Sequence, residues 1–597
     1  MAACSGRSEL LPLTGGGVAS VRARRPARGT MSIQVPIGID DFRRLRELGL
    51  EYVDKSHLIQ ELLDRPGTEV VLLPRPRRFG KTLNLSMLRC FFERRAQDLS
   101  PLFRDLRIWQ AGEQYRAHFQ RYPVLHLTFK GVKAESFDAF WEGVQDRIAR
   151  LFDEHRDLLG SGALSEREAR RYREVLDGTA GRIAYETALL DLSSYLHRSH
   201  GERVVILLDE YDEPLHAGYL HGYAAQVIGF FRAFLTEGLK GNPHLFKAVL
   251  TGVLRVARES IFSGLNNVAV YSLLAPEFDT CFGFTEPEVE SLLTRSGRLE
   301  RLPSLRAWYN GYLFGNTVVY NPWSVLNFLS REDGAPQPYW VNTSSNDLVR
   351  EQLERRALAL EPAFAALLDG GSVERVLDES VPLGELDRSD EVLWSLLVFT
   401  GYLRAEKRSR GPMEQPSHLL SIPNREVRGV YTTTFRRWLG ERLERQNGGL
   451  DRLLGALLAG DAARFEAQLQ AFATDVLSYH DTGRPDPEQV IQGFVLGLLA
   501  ALEPDYQVRS NRESGRGRPD VIIRPAQPGR PGVVLELKVA RTGRTLEQAL
   551  DEGIEQIRRN DYTAELRAAG ASPVLALAVA FDGKVVRAAS VPVAVSP

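Results

Sequence analysis

The stretch VVLLPRPRRFGKTLNLSML, residues 70 to 88, decides the fold of the first part of this chain. Its apolar start predicts a buried strand, a basic turn follows, and FGKT opens a helix. In that order of parts, the backbone N–H groups of the turn and the positive end of the helix face an anion. We therefore expect a phosphate-binding loop, in which Lys81 reaches the β and γ phosphates of a nucleotide and Thr82 ligates Mg²⁺.

The loop departs from the generic pattern G-x-x-x-x-G-K-[ST] at its first position. Arg75 stands where the pattern has glycine, and Pro76 removes one more backbone donor. A basic turn before a helix also occurs without a nucleotide. Taken alone, the loop leaves nucleotide binding open.

A second segment, GERVVILLDEYDEPL at residues 201 to 215, supports the nucleotide hypothesis. Its continuous apolar run has the length of a doubly buried parallel strand, and it ends in Asp209, Glu210 and Asp212. This is typical of a Walker B strand, in which Asp209 would hold Mg²⁺ and Glu210 would polarise the attacking water. The alternative is a solvated acidic turn, which the pairing with FGKT disfavours.

A third apolar run, LFKAVLTGVLRVARES from Leu245, predicts a strand beside Walker B. It is followed by Arg255 and Arg258. A cation at the tip of this strand could stabilise the charge that develops during phosphoryl transfer, and we expect one of these two arginines to sense the γ phosphate. The competing interpretation is a solvated surface arginine.

These segments resemble the bacterial and archaeal AAA-ATPase-like family, whose members join a P-loop ATPase domain to a C-terminal PD-(D/E)XK nuclease-like domain. The family's own loop, RPRRFGK[ST], also lacks the first glycine. The resemblance runs from about Ile37 to Phe581 and includes GIDDFRRLRELGLEYVDKSHLI, FSGLNN, WYNGYLFG, YNPWSVLNFL, YWVNTSSN, GYL and IPN. The residues expected to bind the nucleotide are Arg77, Arg78, Phe79, Gly80, Lys81, Thr82, Asp209 and Arg255.

The C-terminal stretch from Tyr506 to Ala540 carries the second group of chemically active residues. Alternation and turn residues divide it into three short strands in a meander. Adjacent strand ends would bring Asp520 and Glu536 onto one divalent cation, with Lys538 on the same face as Glu536. This is the PD-(D/E)XK arrangement, and Glu488 could supply a third acidic group.

The mechanism that this arrangement implies is metal-assisted hydrolysis of a phosphodiester, with Asp520, Glu536 and Lys538 as catalytic residues. The helix TLEQALDEGIEQIRRNDY, which places Gln556 and Tyr562 as the family's domain does, and the strand VLALAVAF complete an αβββαβ core. A domain can keep its fold after its catalytic activity has been lost. The alternative is therefore an ATP-dependent signalling switch whose inactive nuclease-like domain only binds nucleic acid or protein.

The expected fold class is α/β, and the length of 597 residues requires more than one core. We expect an extension at 1–30 that is disordered or mis-annotated, a P-loop domain with a parallel sheet at 31–282, a helical lid and connector at 283–486, and the nuclease-like domain at 487–597. In the connector, Thr285 and Glu288 predict a helix cap. Its aromatic motifs predict core packing rather than a base-stacking platform.

Charge and cysteine content bound the partners and the compartment. A net charge of −2 gives no global attraction to nucleic acid, so any such surface must be local. Three scattered cysteines and the lack of a long apolar run predict a cytoplasmic protein without a membrane partner. The expected partners are ATP with Mg²⁺ and nucleic acid, with DNA favoured over RNA, and homo-oligomers are left open. A candidate local surface consists of Arg509, Arg512, Arg516, Arg518, Arg524 and Arg530. The equally open alternative is that these arginines only make the surface soluble, because lysine is scarce in this chain.

Overall fold

The computed structural model describes most of the chain. The described ranges are 33–255, 265–331, 334–340, 347–356, 361–368, 370–386, 388–408, 416–431, 450–476, 495–496, 498–499, 502, 505–510, 519–540, 543–560 and 562–592. Glu488 and Arg258 lie outside these ranges, as do Arg512, Arg516 and Arg518 of the arginine group.

The first unit is built on a five-stranded sheet. Its strands are β1 (Val70–Pro74), β2 (Val124–Thr128), β3 (Val204–Asp209), β4 (Leu245–Gly252) and β5 (Val268–Val270). All neighbouring strands are parallel, and the order is β2-β3-β4-β1-β5. Because β4 lies between β1 and β3 and is parallel to both, the carboxyl ends of the three strands lie side by side at one edge of the sheet. The parallel sheet that the sequence predicts is confirmed.

Helices cover both faces of this sheet, since its central strands are apolar on both sides. They are α1 (Phe42–Glu47), α2 (His57–Leu63), α3 (Lys81–Phe92), α4 (Arg107–Gln110), α5 (Glu113–Arg116), α6 (Phe137–Glu154), α7 (Glu166–Leu176), α8 (Arg182–Glu186), α9 (Ala188–His200), α10 (Glu213–Leu220) and α11 (Ala224–Leu239).

The middle section is mainly helical, as predicted, and it also contains two small antiparallel sheets that the sequence did not predict. Its helices are α12 (Glu286–Arg295), α13 (Leu302–Tyr309), α14 (Pro322–Ser330), α15 (Asp347–Arg356), α16 (Glu361–Leu368), α17 (Asp390–Phe399) and α18, described over 425–431. The sheets join β6 (Phe284–Thr285), β8 (Thr317–Tyr320) and β7 (Tyr312–Phe314), and β10 (Arg404–Arg408), β11 (Ser417–Ser421) and β9 (Val373–Val376).

The predicted cap of α12 is present. The backbone N–H of Thr285 donates to the Glu288 carboxylate at 2.8 Å. Glu288 also binds the Nζ of Lys55 at 2.7 Å, and that lysine is almost fully buried. The N-terminal segment before β1 is thereby joined to the middle section by a buried ion pair.

One hydrophobic core contains both the first sheet and much of the middle section. Side chains of β1, β3 and β4 share it with Tyr312, Trp340, Trp394 and Tyr431. A smaller core lies around α12, α13 and α14. Most aromatic rings of WYNGYLFG and YNPWS are therefore packed in these cores, as the sequence predicts, while Trp308 and Trp323 are only partly buried.

The C-terminal unit has separate cores. Its sheet runs β12 (Tyr506–Ser510), β13 (Val521–Pro525), β14 (Gly532–Val539), β15 (Val574–Asp582) and β16 (Val585–Ser590), with only β14 and β15 parallel. The helices are α19 (Leu450–Ala459), α20 (Ala462–Val476), α21 (Leu546–Asn560) and α22 (Ala564–Ala568). The predicted meander, helix and parallel strand are confirmed, and β16 is an additional edge strand.

Within the part of the chain that the structure describes, every helix is too short or too polar to cross a membrane.

Candidate functional site

The phosphate-binding loop connects β1 to α3. Gly80 has φ +88°, a left-handed conformation that glycine adopts without strain, and Lys81 begins the helix behind it. The ammonium group of Lys81 is buried and donates to the carbonyl oxygens of Arg75 at 3.2 Å and Pro76 at 3.3 Å. The lysine side chain therefore reaches back across the loop to its first residues. A bound phosphate would replace these carbonyls as the partner of the ammonium group.

Thr82 and Asp209 meet as the sequence predicts. The Thr82 hydroxyl donates to Oδ2 of Asp209 at 2.7 Å, and the hydroxyl of Thr251, at the end of β4, donates to Oδ1 at 2.7 Å. Asp209 is fully buried. Burial, followed by the neighbouring Glu210 carboxylate, raises the pKa of Asp209. A cation beside Thr82 would relieve both effects.

Glu210 faces the loop lysine. Its backbone has φ +51°, which is strained for a non-glycine residue, and its carboxylate lies 3.6 Å from Nζ of Lys81. Burial opposes ionisation, but Lys81 and then Arg77 outweigh it, so the pKa of Glu210 is below its ordinary value. Glu210 is therefore ionised at neutral pH and can accept a hydrogen bond from water.

Asp212 ties the Walker B turn to the end of β4. Its Oδ2 accepts the backbone N–H groups of Val253 at 2.9 Å and Leu254 at 2.8 Å. Burial, and next Glu210, raises the pKa of Asp212 to about 6. Gly252 makes this approach possible, because a Cβ atom there would lie 2.4 Å from Oδ1 of Asp212.

Arg255 follows directly after the two residues that Asp212 holds. It is partly buried, and its Nε atom has no hydrogen-bond partner among the described residues. The structure thus brings Arg255 to the edge of the sheet at which Asp209 and Glu210 lie, while its role as a γ-phosphate sensor stays a prediction.

Arg75 occupies the position of the first glycine in the generic loop, and its side chain is fully buried. Its guanidinium donates to the carbonyl oxygens of Pro74 at 2.8 Å, Tyr271 at 2.7 Å and Phe278 at 3.2 Å. Burial lowers the pKa of Arg75 to about 10, so the group remains a cation at neutral pH. Arg75 fastens the loop to the segment after β5 and does not face the phosphate position.

Three further loop residues, Arg77, Arg78 and Phe79, contact the middle section. The carbonyl of Arg77 accepts the indole N–H of Trp340 at 3.1 Å, and the guanidinium of Arg78 lies 4.4 Å from the ring centroid of Trp323. The Phe79 ring is buried in the core, against Tyr312 and Phe314. Since the Phe79 side chain is buried, this residue can contact a nucleotide only through its backbone.

The predicted residues of the C-terminal site also come together. Val521 pairs with Leu535 in the antiparallel register, which places Asp520 opposite Glu536. Oδ2 of Asp520 accepts the backbone N–H of Leu537 at 2.7 Å, and Oε1 of Glu536 accepts Nζ of Lys538 at 2.8 Å. The two carboxylates and the lysine form one cluster at the start of β13 and the middle of β14.

Glu536 has an unusual environment. It is 1% exposed, and its Oε2 atom is buried with no hydrogen-bond partner in the described part of the chain. Burial, and then Asp520, raises the pKa of Glu536 to about 7. A buried carboxylate oxygen without a partner is costly, and a hard cation such as Mg²⁺ would satisfy it.

Helix α21 lies against this cluster through Gly553. A Cβ atom at Gly553 would be 3.3 Å from Cβ of Ala578, 3.5 Å from Cγ of Lys538 and 3.8 Å from Cγ of Glu536. On the same helix, the amide of Gln556 donates to the Tyr562 hydroxyl at 3.1 Å. The two residues singled out by the resemblance are therefore in contact with each other.

The arginine group of the C-terminal domain is only partly supported as a cationic surface. Arg509 pairs with Glu565 at 3.0 Å, and Arg530 lies 3.5 Å from Asp505. Such pairs neutralise part of the charge that would attract a phosphate backbone.

Two residues of the nucleotide site were not assigned from the sequence. Thr251 binds Asp209, and Trp340 binds the loop carbonyl of Arg77. Thr251 could have been found from the sequence, because it is a hydroxyl residue at the end of the apolar strand expected beside Walker B. Trp340 lies 263 positions from its partner, and no local pattern marks it.

Comparisons with known proteins agree with this geometry. Residues 36–262 match a family model described as a predicted AAA-ATPase, and residues 486–590 match one described as the PD-(D/E)XK nuclease superfamily. The chain is also similar to an "Uncharacterized protein in vnfD 5'region" of Azotobacter chroococcum mcd 1. The two are 29% identical over 564 residues, which is 92% of this chain and 96% of that protein.

Proposed function

We propose that this chain, whose N-terminal part belongs to the AAA-ATPase-like family and whose C-terminal part belongs to the PD-(D/E)XK nuclease superfamily, is an ATPase coupled to a nuclease. ATP hydrolysis in the first site would control phosphodiester hydrolysis in the second. The observation that carries the proposal is that four residues contact one another in pairs at one end of the parallel sheet: Thr82 with Asp209, and Lys81 with Glu210.

In the first site, Lys81 would exchange its two loop carbonyls for the β and γ phosphates and neutralise part of their charge. Thr82 and Asp209 supply the oxygen atoms that would hold Mg²⁺, which when bound neutralises charge on the transferring phosphate. Glu210, which is ionised at neutral pH, would accept a hydrogen bond from the attacking water and orient it.

Arg255 would meet the γ phosphate from the end of β4. The clamp of Asp212 on the N–H groups of Val253 and Leu254 would fix its position. A cation held there stabilises the charge that builds up on the transferring group.

In the second site, Asp520 and the unsatisfied oxygen of Glu536 would hold a divalent cation, which when bound polarises the scissile phosphate. Lys538 would leave Glu536 to orient the water and stabilise negative charge on the phosphate. Glu488 remains a further candidate ligand. The substrate class is nucleic acid, with DNA favoured over RNA.

The ATPase half of the proposal is tested with Lys81→Ala. Loss of the buried ammonium should reduce ATP turnover at least about a hundredfold, because a group that stabilises transition-state charge contributes on that scale. Lys130→Ala is a matched control, since Lys130 is an exposed lysine of the same unit and is paired with Asp40. Undiminished hydrolysis in Lys81→Ala would contradict the site assignment.

The nuclease half is tested by incubating the purified chain with single- and double-stranded DNA and RNA, in Mg²⁺ or Mn²⁺, with and without ATP. Asp520→Asn and Glu536→Gln should abolish cleavage and leave ATP turnover intact. Glu555→Gln is the control, because Glu555 is an exposed carboxylate on α21. Cleavage that survives in both site variants would refute the assignment, and binding without cleavage by the wild type would indicate an ATP-dependent switch with an inactive nuclease-like domain.

A further inference from the structure

The outer side of the phosphate-binding loop is covered by the middle section. Trp340 donates its indole N–H to the carbonyl of Arg77, and the side chain of Arg78 lies over the ring of Trp323. The loop is therefore held on one side by β1 and α3 and on the other by residues more than 240 positions later in the chain.

The contact to Arg77 has a direct effect on the loop's donors. The carbonyl of Arg77 and the N–H of Arg78 belong to the same planar trans peptide, so they point in opposite directions. Fixing the carbonyl toward Trp340 turns the N–H of Arg78 away from Trp340. Arg78 has φ +67°, a conformation that costs a non-glycine residue energy and persists only when its surroundings hold it.

Trp340 is itself held firmly. It is 1% exposed, and its ring packs at 5.1 Å from the ring of Tyr402. Its backbone N–H donates to Oε1 of Glu426 at 2.6 Å, and the other oxygen of Glu426 accepts the Ser324 hydroxyl at 2.8 Å. Glu426 is fully buried, so a continuous set of hydrogen bonds joins α14 and α18 to the loop.

We propose that Trp340 is a positioning residue for the phosphate-binding loop, and that the middle section controls nucleotide affinity by supplying it. Trp340 fixes the orientation of the peptide between Arg77 and Arg78, and Glu426 fixes Trp340. This inference rests on the proposed ATPase function and adds to it the part of the chain that regulates the site.

The test compares Trp340→Phe with Trp394→Phe in the full chain. Trp394 is a matched control because it is also fully buried in the middle section, and its indole N–H has no hydrogen-bond partner within the described residues. The probes are ATP and inorganic tripolyphosphate, with affinities measured by titration calorimetry in Mg²⁺. Tripolyphosphate has no base, so it reports on the phosphate cradle alone.

Trp340→Phe should weaken ATP and tripolyphosphate by the same factor of about five, which is the usual effect of one lost hydrogen bond. Trp394→Phe should leave both affinities unchanged, and equal melting temperatures of the two variants would show that folding is intact. Equal affinities in the two variants would overturn the inference. An effect on ATP without an effect on tripolyphosphate would overturn it as well.

A double-mutant cycle tests the role of Glu426. Glu426→Gln should weaken both probes in the wild type and have no further effect in Trp340→Phe, because Glu426 acts through Trp340. Additive effects would contradict that route. Failure of the proposed function is a separate outcome, since a wild-type chain that binds neither ATP nor tripolyphosphate would refute the ATPase itself.

Discussion

Replacing Arg75 by glycine would give the loop the residue that the generic phosphate-binding pattern has at this position, and we expect the variant to be less stable than the wild type. Arg75 is fully buried, and its three hydrogen bonds run to carbonyl oxygens. Two of these carbonyls, those of Tyr271 and Phe278, belong to a distant segment. The substitution removes their donor and the side chain that fills the space between the two segments.

The size of the effect follows from three contributions. An unsatisfied buried carbonyl costs about 1 to 3 kcal/mol, so two cost about 4 kcal/mol. The cavity adds about 2 kcal/mol. Among the described residues, no carboxylate is in hydrogen-bond contact with this buried cation, and recovery of its desolvation cost in the variant offsets about half of the total. The expected net loss is about 3 kcal/mol, or about 4 °C in Tm for a unit of about 400 residues, because the core around this sheet extends to Tyr431.

The assay is thermal and urea denaturation followed by circular dichroism, combined with ATP titration. Arg78→Gly is the control in the same loop, because Arg78 is exposed and has φ +67°, which glycine adopts without strain. Its stability should stay within about 1 kcal/mol of the wild type. The reasoning would be refuted if Arg75→Gly were as stable as the wild type or bound ATP more tightly.

Three further predictions concern buried groups. Burial raises the pKa of Glu426 to about 7, so its contribution to stability is fully present below about pH 4.5 and is lost as the pH rises through 7. Between pH 5 and 9, the free energy of unfolding of Glu426→Gln should therefore rise by about 3 kcal/mol relative to that of the wild type, as measured by urea denaturation. Parallel pH profiles of the two proteins would contradict this. Gly252→Ala should cost about 1 to 3 kcal/mol and slow ATP turnover, because its Cβ would meet Asp212; an unchanged urea midpoint would count against it. Gly553→Leu should abolish any nuclease activity with ATP turnover intact, since its side chain would displace Lys538; wild-type cleavage would exclude that packing.

Local patterns carried most of what could be predicted. The strand that ends at Asp209, the helix that begins at Lys81 and the pairing of Asp520 with Glu536 depend on short runs of apolar residues, turn residues and register. Such features depend on residues that are close together in the sequence. Parallel strands in turn bring their carboxyl ends to one edge of the sheet. The meeting of Thr82 with Asp209 followed from that geometry.

Features that depend on distant partners were not predicted. Arg75 is bound by carbonyls 196 and 203 positions away, so its departure from the glycine pattern could be noticed in the sequence but not explained by it. Phe79 stays a predicted nucleotide contact through its backbone, but the burial of its ring could not be predicted, since the chain around Tyr312 that covers it lies far along the sequence. The strand β16 was missed because VVRAAS has only weak alternation.

The shared hydrophobic core determines which parts of this protein can be exchanged. Residues that match the ATPase family end at 262, but the core that encloses their sheet continues to Tyr431. A recombinant fragment cut at the family boundary would leave Phe79 and the strand ends without their aromatic cover. The C-terminal unit has its own hydrophobic cores, whereas the first sheet and the section after it share one core, so we expect those two parts to fold together.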